Sequence, residues 1–309
     1  MGFNDRPPKG RELEIMKALV EENIQNGALG LSSGLEYAPG SYALSDEIVV
    51  LCKVAADNGG MYATHMRDEG DFLIESLGGT CDIASQTGIR IQISHFKIAY
   101  TSNWNKIEDA IFRIEAARKE GISIYCDRYP YIAGSTGLSS FNFPLWAKQG
   151  TTSEFLARLK DPNLERKLRE HFKKREKKIG DWDKIIISSV FTEKNKKFEG
   201  KTVKQGAAET GKDEFEFVRD FLIEENDRAS MIIFIMSEKN LKRILAHPLV
   251  GIGCDGSAMA PYGLLGKGKP HPRSYGTFPR VLGKYYAVLP ELFSQDLKKV
   301  VKKDRRVCL

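Results

Sequence analysis

Residues 45–66 read "SDEIVVLCKVAADNGGMYATHM". The first part is helix-like: it opens on a candidate N-cap, Ser45, and closes on Gly59 and Gly60. The second part, "GGMYATHM" (59–66), is a short β-rich apolar run. A helix that feeds directly into such a run is one unit of a β/α repeat, and the neighbouring sequence repeats it. "GALGLSSG" (27–34) precedes it, and "IRIQISHFK" (89–97) and "ISIYCDRYP" (122–130) come after it. The spacing is about 30 residues, the length of a strand plus a crossover helix. Between the last two runs, "NKIEDAIFRIEAARKEG" sets Ile107, Ala110, Ile111 and Ile114 on one helical face and ends at Gly121. The expected class is therefore α/β with a parallel sheet, either doubly wound or closed into a barrel. Periodicity alone does not choose between them.

After Tyr131 the rhythm breaks. Residues 141–230 are more charged and hold the helix-like "FLARLKDPNLERKLREHFKKREKK", one strand candidate, "KIIISSV", and a further helix, "DEFEFVRDFLIEE". This stretch reads as an insertion or lid between two sheet strands. The β rhythm returns with "SMIIFIM" (230–236) and "PLVGIGCDGS" (248–257).

Bulk properties narrow the class. The 309 residues are 41% hydrophobic and 28% charged, with no apolar run near the ~18 residues of a membrane span. No segment has the layout of a secretory signal. The five cysteines (52, 81, 126, 254 and 308) are scattered and odd in number, which suits a reducing, cytoplasmic compartment rather than a disulfide framework. The net charge of +6 gathers in "KLREHFKKREKKIG" (167–180) and "LKKVVKKDRRVCL" (297–309). Neither has the aromatic interleaving of a nucleic-acid groove, so both read as solvated faces. No nucleic-acid or membrane partner is expected.

Three polar residues end apolar runs: His65, His95 and Asp255. In parallel α/β sheets the carboxyl ends of strands form the face where ligands bind. Imidazole and carboxylate converging there can hold a divalent metal, zinc in particular. A lone strand-end histidine is more often a hydrogen-bonded core residue. Two at matching positions about 30 residues apart reverse that preference. Asp255 before Gly256 is equally readable as a turn. Tyr129 ends a fourth run, where it can orient a substrate or simply pack. Lys97 is a cation on the same rim. Arg273, in "KPHPRSYGTFPR" (269–280), suits bidentate capture of a carboxylate or marks a rigid surface loop. "GLSSG" (30–34) fits the G-x-S-x-G nucleophile elbow around Ser32, but the adjoining "LEYAPGSYA" reads as loop where an elbow needs a helix.

Taken together, "GALGLSSGLEYAPGSYA", "YATHMRDEGD", "QISHFK", "YPYIAGST", "CDGS" and "GKPHPRSYGTFPRVLG" resemble, in order, the signature segments of the N-acyl-D-amino acid deacylases (D-aminoacylases) of the amidohydrolase superfamily. The resemblance runs over roughly residues 10–286. It implies a (β/α)8 TIM barrel and zinc-dependent hydrolysis of the linear amide of an N-acyl-D-amino acid, a small-molecule substrate. His65 and His95 look like metal ligands on the fifth and sixth barrel strands. Asp255 looks like the aspartate that ends the eighth and moves the proton from water to leaving amine. Lys97, Tyr129 and Arg273 fall where the family holds the substrate carboxylate, and Ser135 and Thr136 line the same mouth.

The chain departs from the pattern in having no H-x-H pair and no cysteine at the family's metal-binding place. The expectation is a single partial barrel domain over 1–309, about strands 4–8. The insertion precedes the last strand, and residues 290–309 form an atypical basic tail. Such a chain would be a fragment with two histidine ligands and a third missing. Two other readings stay open: a cyclic amidohydrolase of the hydantoinase or dihydropyrimidinase kind, and a non-catalytic remnant.

Overall fold

The computed structural model describes residues 2–285; the basic tail expected over 290–309, with Cys308, lies outside them. Three strand–helix units succeed one another and deliver a fourth strand. β1 (Gly30–Gly34) leads to the helix Ser45–Asp57, β2 (Met61–His65) to Leu73–Thr87, and β3 (Arg90–Ile93) to Ile107–Lys119 and then β4 (Ile124–Arg128). Three further strands, β5 (Ala133–Gly137), β6 (Ile185–Ser189) and β7 (Ser230–Phe234), precede β8 (Val250–Ile252). The main sheet has the order β1-β2-β3-β4-β8 with every pair parallel. β1 and β8 are its edges.

The helices form where the apolar spacing demands. Ser45–Asp57 buries Ile48, Leu51, Cys52 and Ala55, and Ile107–Lys119 buries Ile107, Ala110, Ile111, Ile114 and Ala117. Both sets repeat at three and four residues, so one stripe faces the sheet. They meet Tyr62, Ile91, Ile93 and Ile124 from the strands. Leu73–Thr87 stops at Gly88, whose φ of 69° supplies the left-handed cap. The start of β1 needs a glycine for another reason. A Cβ on Gly30 would stand 2.0 Å from the Met61 carbonyl oxygen, backbone against backbone.

The intervening chain builds its own layer. β5 and β6 flank β7 in an antiparallel sheet, packed on Phe143, Phe155, Phe172, Trp182 and Phe215. This corrects the reading of "SMIIFIM" as the main sheet resuming: β7 pairs with β5 and β6, and the main sheet resumes only at β8. Periodicity identifies a strand but says nothing of its partner. The layer's strands also run from residue 133 to 234, wider than the 141–230 marked by composition. The single long helix expected there is two, Thr152–Lys160 and Pro162–Ile179, divided by Asp161, whose side chain caps the second. Pro162 at its first position has no N–H to lose. Ser45 is the first helical residue rather than the cap, which is Leu44. Among the described residues no helix is long and apolar enough to cross a membrane.

Candidate active site

All the parallel strands release their chain at one end of the sheet. β2 ends on His65, β3 is followed by His95 and Lys97, β4 by Tyr129, and β8 by Asp255. These residues, with Ser135, Thr136 and Arg273, line a single cavity of about 520 Å³. All eight residues read as metal, catalytic or substrate-binding candidates for the deacylase site are thus brought to one place. His95 and Asp255 have φ of 43° and 47°, left-handed values that cost a non-glycine residue about 1–3 kcal/mol. At His95 the backbone is pinned by its N–H donating to Asp127 Oδ1 at 2.8 Å. Gly253 lets β8 pass that same carboxylate, since a Cβ there would lie 2.6 Å from Asp127 Oδ1.

His65 Nδ1 faces His95 Nε2 at 3.0 Å, and His65 Nε2 lies 2.8 Å from Glu36 Oε2. On the other side of His95, Nδ1 is 3.1 Å from Glu69 Oε1 and 2.8 Å from Lys97 Nζ, which itself donates to Glu69 Oε1 at 2.6 Å. Glu69, His95 and Lys97 are all buried. Burial works to raise the Glu69 carboxyl, but Lys97, His65 and His95 prevail and hold it well below the usual carboxylate range. Burial, and then Lys97, push His95 down against the pull of Glu69. One potential ligand atom from each of His65, Glu69 and His95 lies within 4.8 Å of the others.

Glu69 is what the sequence reading missed, for it supplies a third donor where two were expected. In "HMRDEGD" three acids crowd a turn, and no periodicity says which of them is buried. Asp68 turns back onto the backbone N–H groups of Gly70 and Phe72, and Asp71 accepts from Asn103. Glu36 and Tyr37, after β1, also line the cavity, and the Tyr37 ring sits 4.8 Å from that of His65.

The rest of the mouth holds cations. Arg273 Nη1 pairs with Asp255 Oδ2 at 2.6 Å, and its guanidinium lies 4.8 Å from the Tyr129 ring centre. The buried Tyr129 hydroxyl has no hydrogen-bond partner among the described residues. Ser135 contributes its carbonyl, an acceptor for Arg273 Nη2 at 3.4 Å, and Thr136 lines the same wall. Ser32 is mid-strand and exposed, and it does not line this cavity. A nucleophile elbow needs its serine on the turn, so that reading is not supported.

His271 has a supporting part. Its Nε2–H donates to the Ala133 carbonyl at 2.9 Å and its Nδ1 accepts from the Arg273 N–H at 3.0 Å. Burial, then Arg273, push its pKa down to about 4. Between about 6.5, the unfolded value, and 4, the unfolded chain binds the extra proton. The stability this histidine contributes is complete above about 6.5 and is lost as pH falls towards 4, by about 3 kcal/mol in total. Urea unfolding at pH 7 and pH 4.5 is expected to show a smaller acid loss for His271→Gln than for the wild type. Equal losses would count against the assignment.

No family model matches the chain. It is 32% identical over 281 residues to a D-aminoacylase of Alcaligenes xylosoxydans xylosoxydans, covering 91% of this chain and 47% of that protein. It is 28% identical over 278 residues to an N-acyl-D-glutamate deacylase of the same organism, covering 90% and 47%. Among solved structures it is similar to the Bordetella bronchiseptica N-acyl-D-glutamate deacylase, complexed with zinc and a phosphonate mimic of the tetrahedral intermediate. That match has a TM-score of 0.72 and 26% identity, over 94% of this chain and 51% of that one. A D-aminoacylase with a binuclear metal centre matches at a TM-score of 0.70 and 30% identity, over 95% and 51%. The chain spans about half the length of the curated relatives it matches.

Proposed function

We propose that this chain, a relative of the D-aminoacylases through nine-tenths of its length, carries the reaction centre of a zinc-dependent hydrolase of N-acyl-D-amino acids. The five parallel strands correspond on this reading to strands 4–8 of an amidohydrolase barrel. The layer over residues 133–234 is the lid inserted before the last of them. The four described cysteines are free, in keeping with a cytoplasmic setting.

The observation that carries the proposal is the meeting of His65, Glu69 and His95 in the same cavity as Asp255 and Arg273. The donor set fits zinc. Two imidazole nitrogens stand 3.0 Å apart, near the ~3.3 Å edge of a tetrahedron with Zn–N bonds of about 2.0 Å. The Glu69 carboxylate lies at the other nitrogen of the His95 ring, 3.1 Å from Nδ1, and, against burial, Lys97 foremost keeps its pKa low. His65, His95 and Glu69 would hold the ion. When bound, it supplies Lewis acidity to the acyl carbonyl and brings the pKa of water towards neutrality.

The protein's own groups do the rest. Arg273 has N–H donors enough for both the Asp255 carboxylate and the carboxylate of a substrate. Lys97 Nζ and the unpartnered Tyr129 hydroxyl offer further donors to that carboxylate. Asp255, at the strand end, takes the proton of the attacking water and delivers it to the leaving amine. Linear amides are supported over cyclic ones because the similar proteins are named for deacylation of N-acyl amino acids.

Purified protein is expected to contain about one zinc per chain and to release D-amino acids from N-acetyl-D-amino acids, with turnover abolished by a chelator and restored by zinc. Hydrolysis indifferent to the chelator would refute the proposal. So would a zinc-loaded protein that opened hydantoin rings but left the linear amides intact.

A further inference from the structure

The helix Pro162–Ile179 sends His171, Arg175 and Lys178 to the wall of the cavity that holds the two strand-end histidines. Their spacing of four and three residues places them on one helical face. Lys178 is paired with Asp71. The other two have no such partner. Arg175 has no carboxylate within ion-pair distance among the described residues. Its guanidinium lies 4.8 Å from the Phe141 ring centre, and its Nε is buried without a hydrogen-bond partner. The Nε2 of His171 is buried without a partner as well. Burial, then Arg175 and three lysines, push His171 down to about 4. Lys148 is pushed down to about 8 by burial and also by Arg175. The cavity face of this helix thus carries the charge of Arg175 and, beside it, an unpartnered ring nitrogen of the neutral His171.

An arginine guanidinium is a planar fork matched to a carboxylate, and leaving its N–H groups buried and unmatched is unfavourable. Asp255 already engages Arg273, and Glu69 engages Lys97. Neither is ion-paired with the helix wall.

We propose that Arg175 and His171 form a second anion subsite, so that the preferred substrates are dianions. One carboxylate is held by Lys97, Tyr129 and Arg273, and another is held by the inserted helix. The inference rests on the deacylase reading for the identity of the first carboxylate. The second can belong to an acidic amino-acid side chain or to the far end of the acyl group, and the two sources have the same chemistry at Arg175.

Binding is measured by calorimetry on the zinc-loaded protein with sulfonamide analogues, which are not hydrolysed. N-methanesulfonyl-D-glutamate is compared with its D-glutamine twin. N-(2-carboxyethylsulfonyl)-D-alanine is compared with its carboxamide twin. At least one acid is expected to bind about tenfold more tightly than its neutral twin, and the pair that shows the preference identifies the source. In Arg175→Gln the ratio should fall to about one, whereas Arg175→Lys, which keeps the charge, should preserve part of it. Equal affinities within both pairs, a ratio unchanged in Arg175→Gln, or no binding of any analogue would each overturn the subsite. Turnover is not read in this experiment. A protein that preferred the acids but hydrolysed nothing would therefore keep the subsite and lose the deacylase reading.

Discussion

His65→Ala protein is expected to emerge from dialysis with essentially no zinc, beside about one per chain in the wild type, and with turnover lowered by about 10³ or more. Catalytic zinc sites use three protein ligands as a rule, and the described residues offer one set, His65, Glu69 and His95. Without one imidazole the remaining nitrogen and carboxylate cannot enclose the ion. The several kcal/mol that a Lewis acid contributes in the transition state go with it, and each 1.4 kcal/mol is a factor of ten in rate. The change should not unfold the protein. His65 lines the cavity rather than the core, with its side chain 14% exposed, and its contacts with Glu36 and His95 are to groups that reach solvent or keep other partners. Circular dichroism therefore serves as the control, and zinc retained in a folded variant would remove His65 from the ligand set.

Asp255→Asn is expected to behave differently: zinc retained, KM altered little, kcat lowered about 10²–10⁴-fold. The carboxamide is close to isosteric and can still accept a hydrogen bond from Arg273, now 2.6 Å from the carboxylate. It cannot take a proton from water and pass it on, and a positioned general acid–base is worth about that factor. The residue is held at φ 47°, a conformation that asparagine tolerates as readily as aspartate, so the backbone needs no adjustment. A kcat within threefold of wild type would mean that the proton is carried by another group. A loss shared equally between zinc content and kcat would mean that Asp255 acts through the metal instead.

Much of the architecture was legible because local pattern is enough to make local structure. The stripes at Ile48, Leu51, Cys52 and Ala55 and at Ile107, Ala110, Ile111 and Ile114 each demand a helix with one buried face. The short apolar runs between them demand strands, and right-handed crossovers of about 30 residues demand that the strands be parallel. Strand-end placement of His65 and His95 follows from that alone. Errors came where an element's partner lies far along the chain. β7 has the composition of a main-sheet strand, yet its backbone pairs with strands from residues 133–137 and 185–189.

The order of the β/α units, the end of the sheet at which chemistry collects, and eight residues that meet there were readable from the chain. The order, the end of the sheet and the strand-end residues rest on periods of two and 3.6 and on chain direction, whereas Ser135, Thr136 and the places of Lys97, Tyr129 and Arg273 around a substrate carboxylate rest on the resemblance to the D-aminoacylases. Long-range packing selected Glu69, among three neighbouring acids, as the one buried against His95 and Lys97. It also turned Arg175 of a solvated-looking basic run into a cation of the cavity. The reason is physical. Which carboxylate loses its water, and which charge is left without a counterion, depends on contacts between segments tens of residues apart and on left-handed turns at His95 and Asp255. Nothing in the local pattern encodes these.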